Sequence, residues 1–233
     1  MSRFWTLLIK EAKAVFSSPI AYAIIAVFLV LMGYTFTAVL FLNRTGSLVH
    51  LFFQMSMLFL LILPVITMRL FAEERKAGTL ELLLTAPVTE IQIVLAKFTA
   101  SMLVVVVILA LSASYALVLG IHGDPDWGPI YSGYLGLLLL DGALAAIGLL
   151  VSALTSNQIV AAVVSLGIFL LLWMIDSLGS LLPDPFDTAV MGLSLAGHFT
   201  PFATGAVYLS DVGYFLCVIL GGLFLSVRAL ARR

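Results

Sequence analysis

Six runs of apolar residues divide this chain, each long enough to cross a hydrocarbon core of about 30 Å as a helix. They cover residues 20–42, 51–71, 98–121, 131–154, 159–175 and 212–227. Backbone groups in lipid must satisfy one another, so spanning segments are helices or closed barrels. No sustained period-two alternation supports a barrel. The expectation is an all-α integral membrane fold with six transmembrane helices, a single transmembrane domain over 1–233. Composition agrees, since 233 residues that are 63% hydrophobic and 10% charged leave too little polar surface for a soluble domain. Cys217, the single cysteine, lies in an apolar run, which excludes an intrachain disulfide and a cysteine-based metal site. The first run is too long for a cleavable signal peptide.

Charge fixes an expected orientation. With an even number of spans, Arg3, Lys10, Lys13, Arg69, Arg75, Lys76, Lys97, Arg228, Arg232 and Arg233 fall on one side and Arg44 on the other. The positive-inside rule then places both termini and the loop at 68–98 in the cytoplasm, as expected of a multi-pass protein of a bacterial inner membrane. Ahead of the first span, residues 3–18 read as an interfacial elbow helix. Phe4, Trp5, Leu8 and Ile9 share one arc with Ala12, Val15 and Phe16, and Arg3, Lys10, Glu11 and Lys13 share the other. Such a helix lies along the membrane surface, with Trp5, Lys10 and Lys13 as its interface-seeking residues. Ser17-Ser18-Pro19 ends it.

Most of the glutamates sit in the loop between the second and third runs, in a coupling region at 72–90. Residues 69–76 extend the second span as helix, and Gly78 breaks it. Thr79 is placed to cap a short helix over 80–84, with Glu81 in its first turn and Pro87 beyond its end. Thr89 and Gln92 have capping-box spacing and launch the third span. The short helix is expected to expose Leu80, Leu82, Leu83 and Leu84, which need a groove or a bilayer to cover them. Glu73, Glu74 and Glu81 would be repelled by an anionic leaflet, which favours a soluble partner.

The segment 69–88, RLFAEERKAGTLELLLTAPV, resembles the loop of type-2 ABC exporter permeases, and more narrowly that of their gliding-motility-type branch. Ser17-Ser-Pro-Ile-Ala-Tyr22, Asp126-Trp-Gly-Pro-Ile130, Leu154-Thr-Ser-Asn-Gln-Ile-Val160 and Gly197-His-Phe199 are also similar to that branch, so the likeness covers nearly the whole chain. Thr200 stands where many relatives are expected to carry an acid. The resemblance implies an elbow helix, six spans, and a coupling helix seated on a separate dimer of ATPase subunits that binds ATP and Mg. It also implies a second permease copy or permease-like subunit. On that basis Glu73, Glu74 and Arg75 make charged contacts with the ATPase, and Gly78 and Pro87 set the geometry. The stretch from Thr79 to Thr85 then enters the ATPase groove.

This chain itself carries no ATP-binding signature, because none of Lys10, Lys13, Lys76 and Lys97 follows a glycine, and HExxH is absent. No cofactor, metal or catalytic set is expected. His50, His122 and His198 are read as outer polar surface. The segment 178–210 is read as extracytoplasmic, broken by Pro183 and Pro185, with a short re-entrant or surface helix within 186–202. Asp141 is the one carboxylate well inside a span, and it is expected to be a hydrogen-bonded structural acid. Ala145, Gly148 and Ser152 continue its helical face as a stripe of small residues, suited to tight packing or to lining a path. The mostly apolar chain points to a lipid-like, amphipathic or glycan-linked cargo moved outward. Two alternatives stand beside this reading: a proton-coupled secondary transporter using Asp141, and a non-transporting scaffold that recruits a cytoplasmic ATPase.

Overall fold

The computed structural model describes residues 3–43, 48–81, 88–123, 125–179 and 190–231. The described residues form helices and no strands. In chain order these are α1 (Arg3–Phe16), α2 (Pro19–Asn43), α3 (Val49–Thr67), α4 (Arg69–Lys76), α5 (Glu90–His122), α6 (Trp127–Leu154), α7 (Gln158–Gly179), α8 (Leu195–Thr204) and α9 (Leu209–Ala231). Helix also resumes briefly at 79–81. Six segments are long and apolar enough to cross a membrane: α2, α3 joined with α4, α5, α6, α7 and α9.

The centre of the bundle is α6, which packs on α3, α4, α5, α7, α8 and α9. In its most apolar stretch 72% of residues are buried, against 11% in α2 and 17% in α9. Its sequence explains the position. Gly133, Gly136, Gly142, Ala145, Ala146 and Gly148 present little side chain, so neighbouring backbones come close. At one crossing, Gly222 of α9 lies against the Ala146 backbone. At another, a methyl added to Gly148 would run into the Thr67 side chain of α3.

The third span is longer than its apolar run. It begins at Glu90, because Thr89 accepts from the Gln92 amide while the Gln92 side chain accepts from the Thr89 amide, so the expected capping box is present. Ser101, Ser112 and Ser114 donate to carbonyls three residues earlier in the same helix. That use is local to the backbone, and Ser112 also shares a hydrogen bond with the Tyr134 hydroxyl of α6 at 3.3 Å.

The short helix within 178–210 is α8, and one side of it packs into the bundle. Leu195, Phe199, Phe202 and Ala203 are completely buried against the bundle, and Ser194 caps its start by accepting from the Gly197 amide. Its proline, Pro201, sits within a helix tucked between α3, α6, α7 and α9. Pro183 and Pro185 fall outside the described residues.

Candidate functional site

Four charges from three helices meet at one end of the bundle. Lys97, near the foot of α5, has a side chain only 2% exposed. A buried ammonium needs carboxylates around it, since desolvation alone costs several kcal/mol. Glu11 of α1 supplies one, with Oε2 3.1 Å from Lys97 Nζ. Glu74 of α4 supplies another, with Oε2 at 2.9 Å, a charge contact that lacks hydrogen-bond alignment. Lys10 closes the cluster from outside, 3.1 Å from Glu11 and 3.4 Å from Glu74. The Phe71 ring lies under the Lys97 ammonium, 5.2 Å from it. Burial pulls the Lys10 ammonium down, but the two carboxylates outweigh that and hold it above the ordinary lysine value.

Around the charges an apolar layer ties the same helices together. Leu7 and Leu8 of α1, Leu70 and Phe71 of α4, and Ile93 and Val94 of α5 share one buried cluster with Leu149 of α6 and Leu230 of α9. The elbow helix, the foot of the third span and the extension of the second are therefore one packed unit.

The extension is set off from its span by a break at Met68. There the amides of Phe71 and Ala72 both donate to Ser152 Oγ of α6, each at 3.1 Å, and that hydroxyl donates to Met68 O at 3.0 Å. A side chain inserted into the helical ladder is a recognised cause of kinks. One hydroxyl from α6 thus replaces part of the ladder of the second span. At its far end α4 stops at Gly78, whose φ of +69° lies in the left-handed region that L side chains resist. The Gly78 amide donates to Arg75 O and the Thr79 hydroxyl to Glu74 O.

Beside this junction, between α1, the start of α2, the end of α3 and α4, lies a cavity of about 510 Å³. Its lining is mixed, with charged Arg69, Glu73 and Glu74 beside apolar Ile20, Ile24 and Val65.

A family model described as ABC-2 family transporter protein matches residues 5–186, which includes the elbow helix, the break, the charged cluster and the cavity. The chain belongs to the ABC-2 transporter family. Comparison with curated proteins gave no match. ABC-2 permeases are membrane transport components that normally work with an ATPase subunit, so this is a multi-pass permease of an ABC transporter.

In this ABC-2 permease the residues singled out from sequence divide into several groups. Glu73, Gly78, Thr79 and Glu81 are exposed, and Arg75 is half-buried. Glu74 is turned inward onto Lys97 and Lys10, so its charge is spent within the chain rather than at an outer contact. Leu80 also corrects its expectation: it is buried, covered by the apolar layer of α1, α4 and α5. Thr79 lies inside the resumed helix, so the capping position falls on Gly78. Leu82, Leu83, Leu84, Thr85 and Pro87 lie outside the described residues. On the elbow, Trp5 and Lys13 are exposed and Lys10 is exposed but ion-paired. Glu11, placed on the polar arc by its spacing, instead faces the protein at 5% exposure. Sequence reasoning misses the pairing of Lys97 with Glu11. The signal that could have found it is a lysine at the edge of an apolar helical run, which demands a carboxylate from elsewhere.

The small-residue stripe divides as well. Ala145 and Gly148 are fully packed, and Ser152 is the clasp at the break. Asp141 is completely buried, but both its oxygens lack a hydrogen-bond partner among the described residues, unlike the hydrogen-bonded acid expected. Ile219 and Met102 lie against the adjoining Gly142. At the opposite end of the bundle His198 is no bare surface histidine. Its Nδ1 lies 2.7 Å from Asp211 Oδ1, its Nε2 3.2 Å from Gly192 O, and its ring stacks on Tyr214 at 4.0 Å. Asp211, 13 residues further on, is the acid beside His198, while Thr200 only donates to its own helix at Ala196 O.

Proposed function

We propose that this ABC-2 permease is the membrane-spanning subunit of an ATP-driven exporter of the gliding-motility-type branch. A separate dimer of ATPase subunits holds ATP and Mg and seats on the region 72–90. The permease works with a second copy or a permease-like subunit in a bacterial inner membrane, with both termini cytoplasmic. The cargo is lipid-like, amphipathic or glycan-linked and moves outward.

The observation that carries the reading is the ion-paired junction. Glu74 and Lys97 tie α4 to α5, Glu11 ties α5 to α1, and Lys10 ties α4 to α1. A displacement delivered at 79–81 therefore reaches the second span, the third span and the elbow together. Glu73, Lys76 and Glu81 are exposed charges beside that point of entry. Gly78 fixes the angle between α4 and the helical turn at 79–81, because its positive φ is a conformation proline cannot adopt and alanine adopts at a cost of about 1–2 kcal/mol.

The test replaces Lys76 or Glu81 by cysteine in a Cys217→Ser background and crosslinks the permease with its co-expressed ATPase. Both positions should capture the ATPase. Gly78→Pro should leave the complex assembled but cut transport relative to ATP turnover. Absence of any ATPase adduct at both positions, or coupled transport unaffected by Gly78→Pro, overturns the reading.

A further inference from the structure

We propose that the cavity beside the elbow is a site for one resident phosphatidylethanolamine of the inner leaflet. Its amine-bearing headgroup sits between Arg69 and Glu73, and its chains leave along Ile20, Ile24 and Val65.

The charge inventory of the cavity selects the headgroup. Among the described residues, six ionisable side chains line it. Four of them, Lys10, Lys97, Glu11 and Glu74, neutralise one another in the cluster described above. Arg69 and Glu73 remain, one helical turn apart on α4, and among the described residues no ion pair joins them to each other or to the cluster. Arg69 Nε is shut off from solvent and donates to no acceptor among the described residues. Water does not reach that atom, so a ligand in the cavity meets the guanidinium through its outer nitrogens. A phosphate offers the acceptor that a guanidinium matches best. Glu73 then needs a cation with N–H groups on the other side of the same ligand.

Those two requirements separate the common headgroups. Phosphoethanolamine carries a phosphate and a primary ammonium a few bonds apart, so it serves both residues. Phosphatidylglycerol brings the phosphate but sets uncharged hydroxyls against Glu73. Phosphatidylcholine brings a quaternary ammonium that donates no hydrogen bond to a carboxylate. The apolar side is equally specific about depth. Ile20 and Val65 remain partly exposed at the cavity mouth, and Ile24 lies one turn further along α2. A lining that is part charged and part apolar fits an amphiphile at the membrane boundary better than a water-soluble metabolite. The volume falls within the range of about 300–1,000 Å³ typical of small-molecule sites. α2, which lines one side of the cavity, is peripheral, with 11% of its apolar stretch buried. The inference rests on the six helices crossing a bilayer with the elbow on the cytoplasmic side, and it stands apart from ATP-driven transport.

The test is native mass spectrometry of the full chain released from nanodiscs holding equal amounts of phosphatidylethanolamine, phosphatidylglycerol and phosphatidylcholine with identical chains, without nucleotide. One phosphatidylethanolamine per permease chain should survive removal of bulk lipid. Arg69→Gln should lower its retention about tenfold, the equivalent of one charge-assisted hydrogen bond. Glu73→Gln, at an exposed position tolerant of change, should retain lipid but lose the preference for phosphatidylethanolamine over phosphatidylcholine. Ile24→Trp, filling the apolar wall, should displace the lipid from a chain that still elutes as a folded species. Equal retention of the three headgroups, or a preference that survives both Arg69→Gln and Glu73→Gln, overturns the site. Loss of the retained lipid during ATP turnover with the partner ATPase identifies it as cargo and overturns its resident role.

Discussion

Lys97 is the residue on which the charged end of the molecule turns. Two carboxylates and an aromatic face surround an ammonium that water does not reach. Removing one member of a buried ion pair leaves the others uncompensated, which costs about 3–5 kcal/mol. Lys97→Met is therefore expected to destabilise the permease by about that much in a denaturation series. Adding Glu11→Met and Glu74→Met to it should recover most of the loss, because replacing a whole buried network with apolar groups is often neutral. Failure of the triple variant to recover would mean that the charges do more than satisfy one another. Lys10 adds a small, solvent-screened pH dependence on the alkaline side. Its value is raised, so its contribution is complete below the ordinary lysine range and fades as pH climbs through the higher folded value. Gly148 makes a second, purely steric case at this scale. Gly148→Ala should cost about 1–3 kcal/mol through overpacking against Thr67, and Thr67→Ala should relieve it. Thermal shift of the single and double variants measures both effects.

Among the elements, the break between α3 and α4 has the clearest cause. Ser152→Ala strips the acceptor from two buried amides, Phe71 and Ala72, at an expected cost of about 2 kcal/mol. Hydrogen exchange should show both amides losing protection, and unchanged protection would mean that the ladder closes without the hydroxyl. The sequence exposes some of these elements and conceals others. Capping of α5 by Thr89 and Gln92 is legible because both partners lie within one turn. The Ser152 clasp is not, because its partners lie 80 residues or more away and a serine in a small-residue stripe reads equally as packing. Leu80 misleads for a similar reason. A short amphipathic turn shows that a side must be covered, but not that α1 of the same chain covers it. Glu11 reads as a water-facing residue and Glu74 as a partner contact because local spacing carries no sign of Lys97.

At the level of the whole molecule, hydropathy alone locates six spans, since the bilayer constraint on apolar length is stronger than any soluble-protein pattern. It does not show that α6 is central and α2 peripheral, a distinction made by glycine and alanine placement rather than by apolarity. Six crossings put both ends of the chain on one side, and the expected side is the cytoplasm. In the Cys217→Ser background, Lys13→Cys and Arg228→Cys should both resist a membrane-impermeant maleimide in intact cells and both react after permeabilisation. Labelling of only one in intact cells would break the six-span arrangement.

Because α1 is bolted to α4 and α5 while the peripheral α2 is held by Phe28 and Met32 further along the bundle, the two helices need not lean together. The two-residue gap at Ser17 and Ser18 must absorb the difference, with Ser17 bonded only backward to Lys13 and Ala14. Any tilt of the outermost helix is thus concentrated at a seam two residues wide, and stiffening that seam should freeze the first span while leaving the charged foot of the bundle free to move.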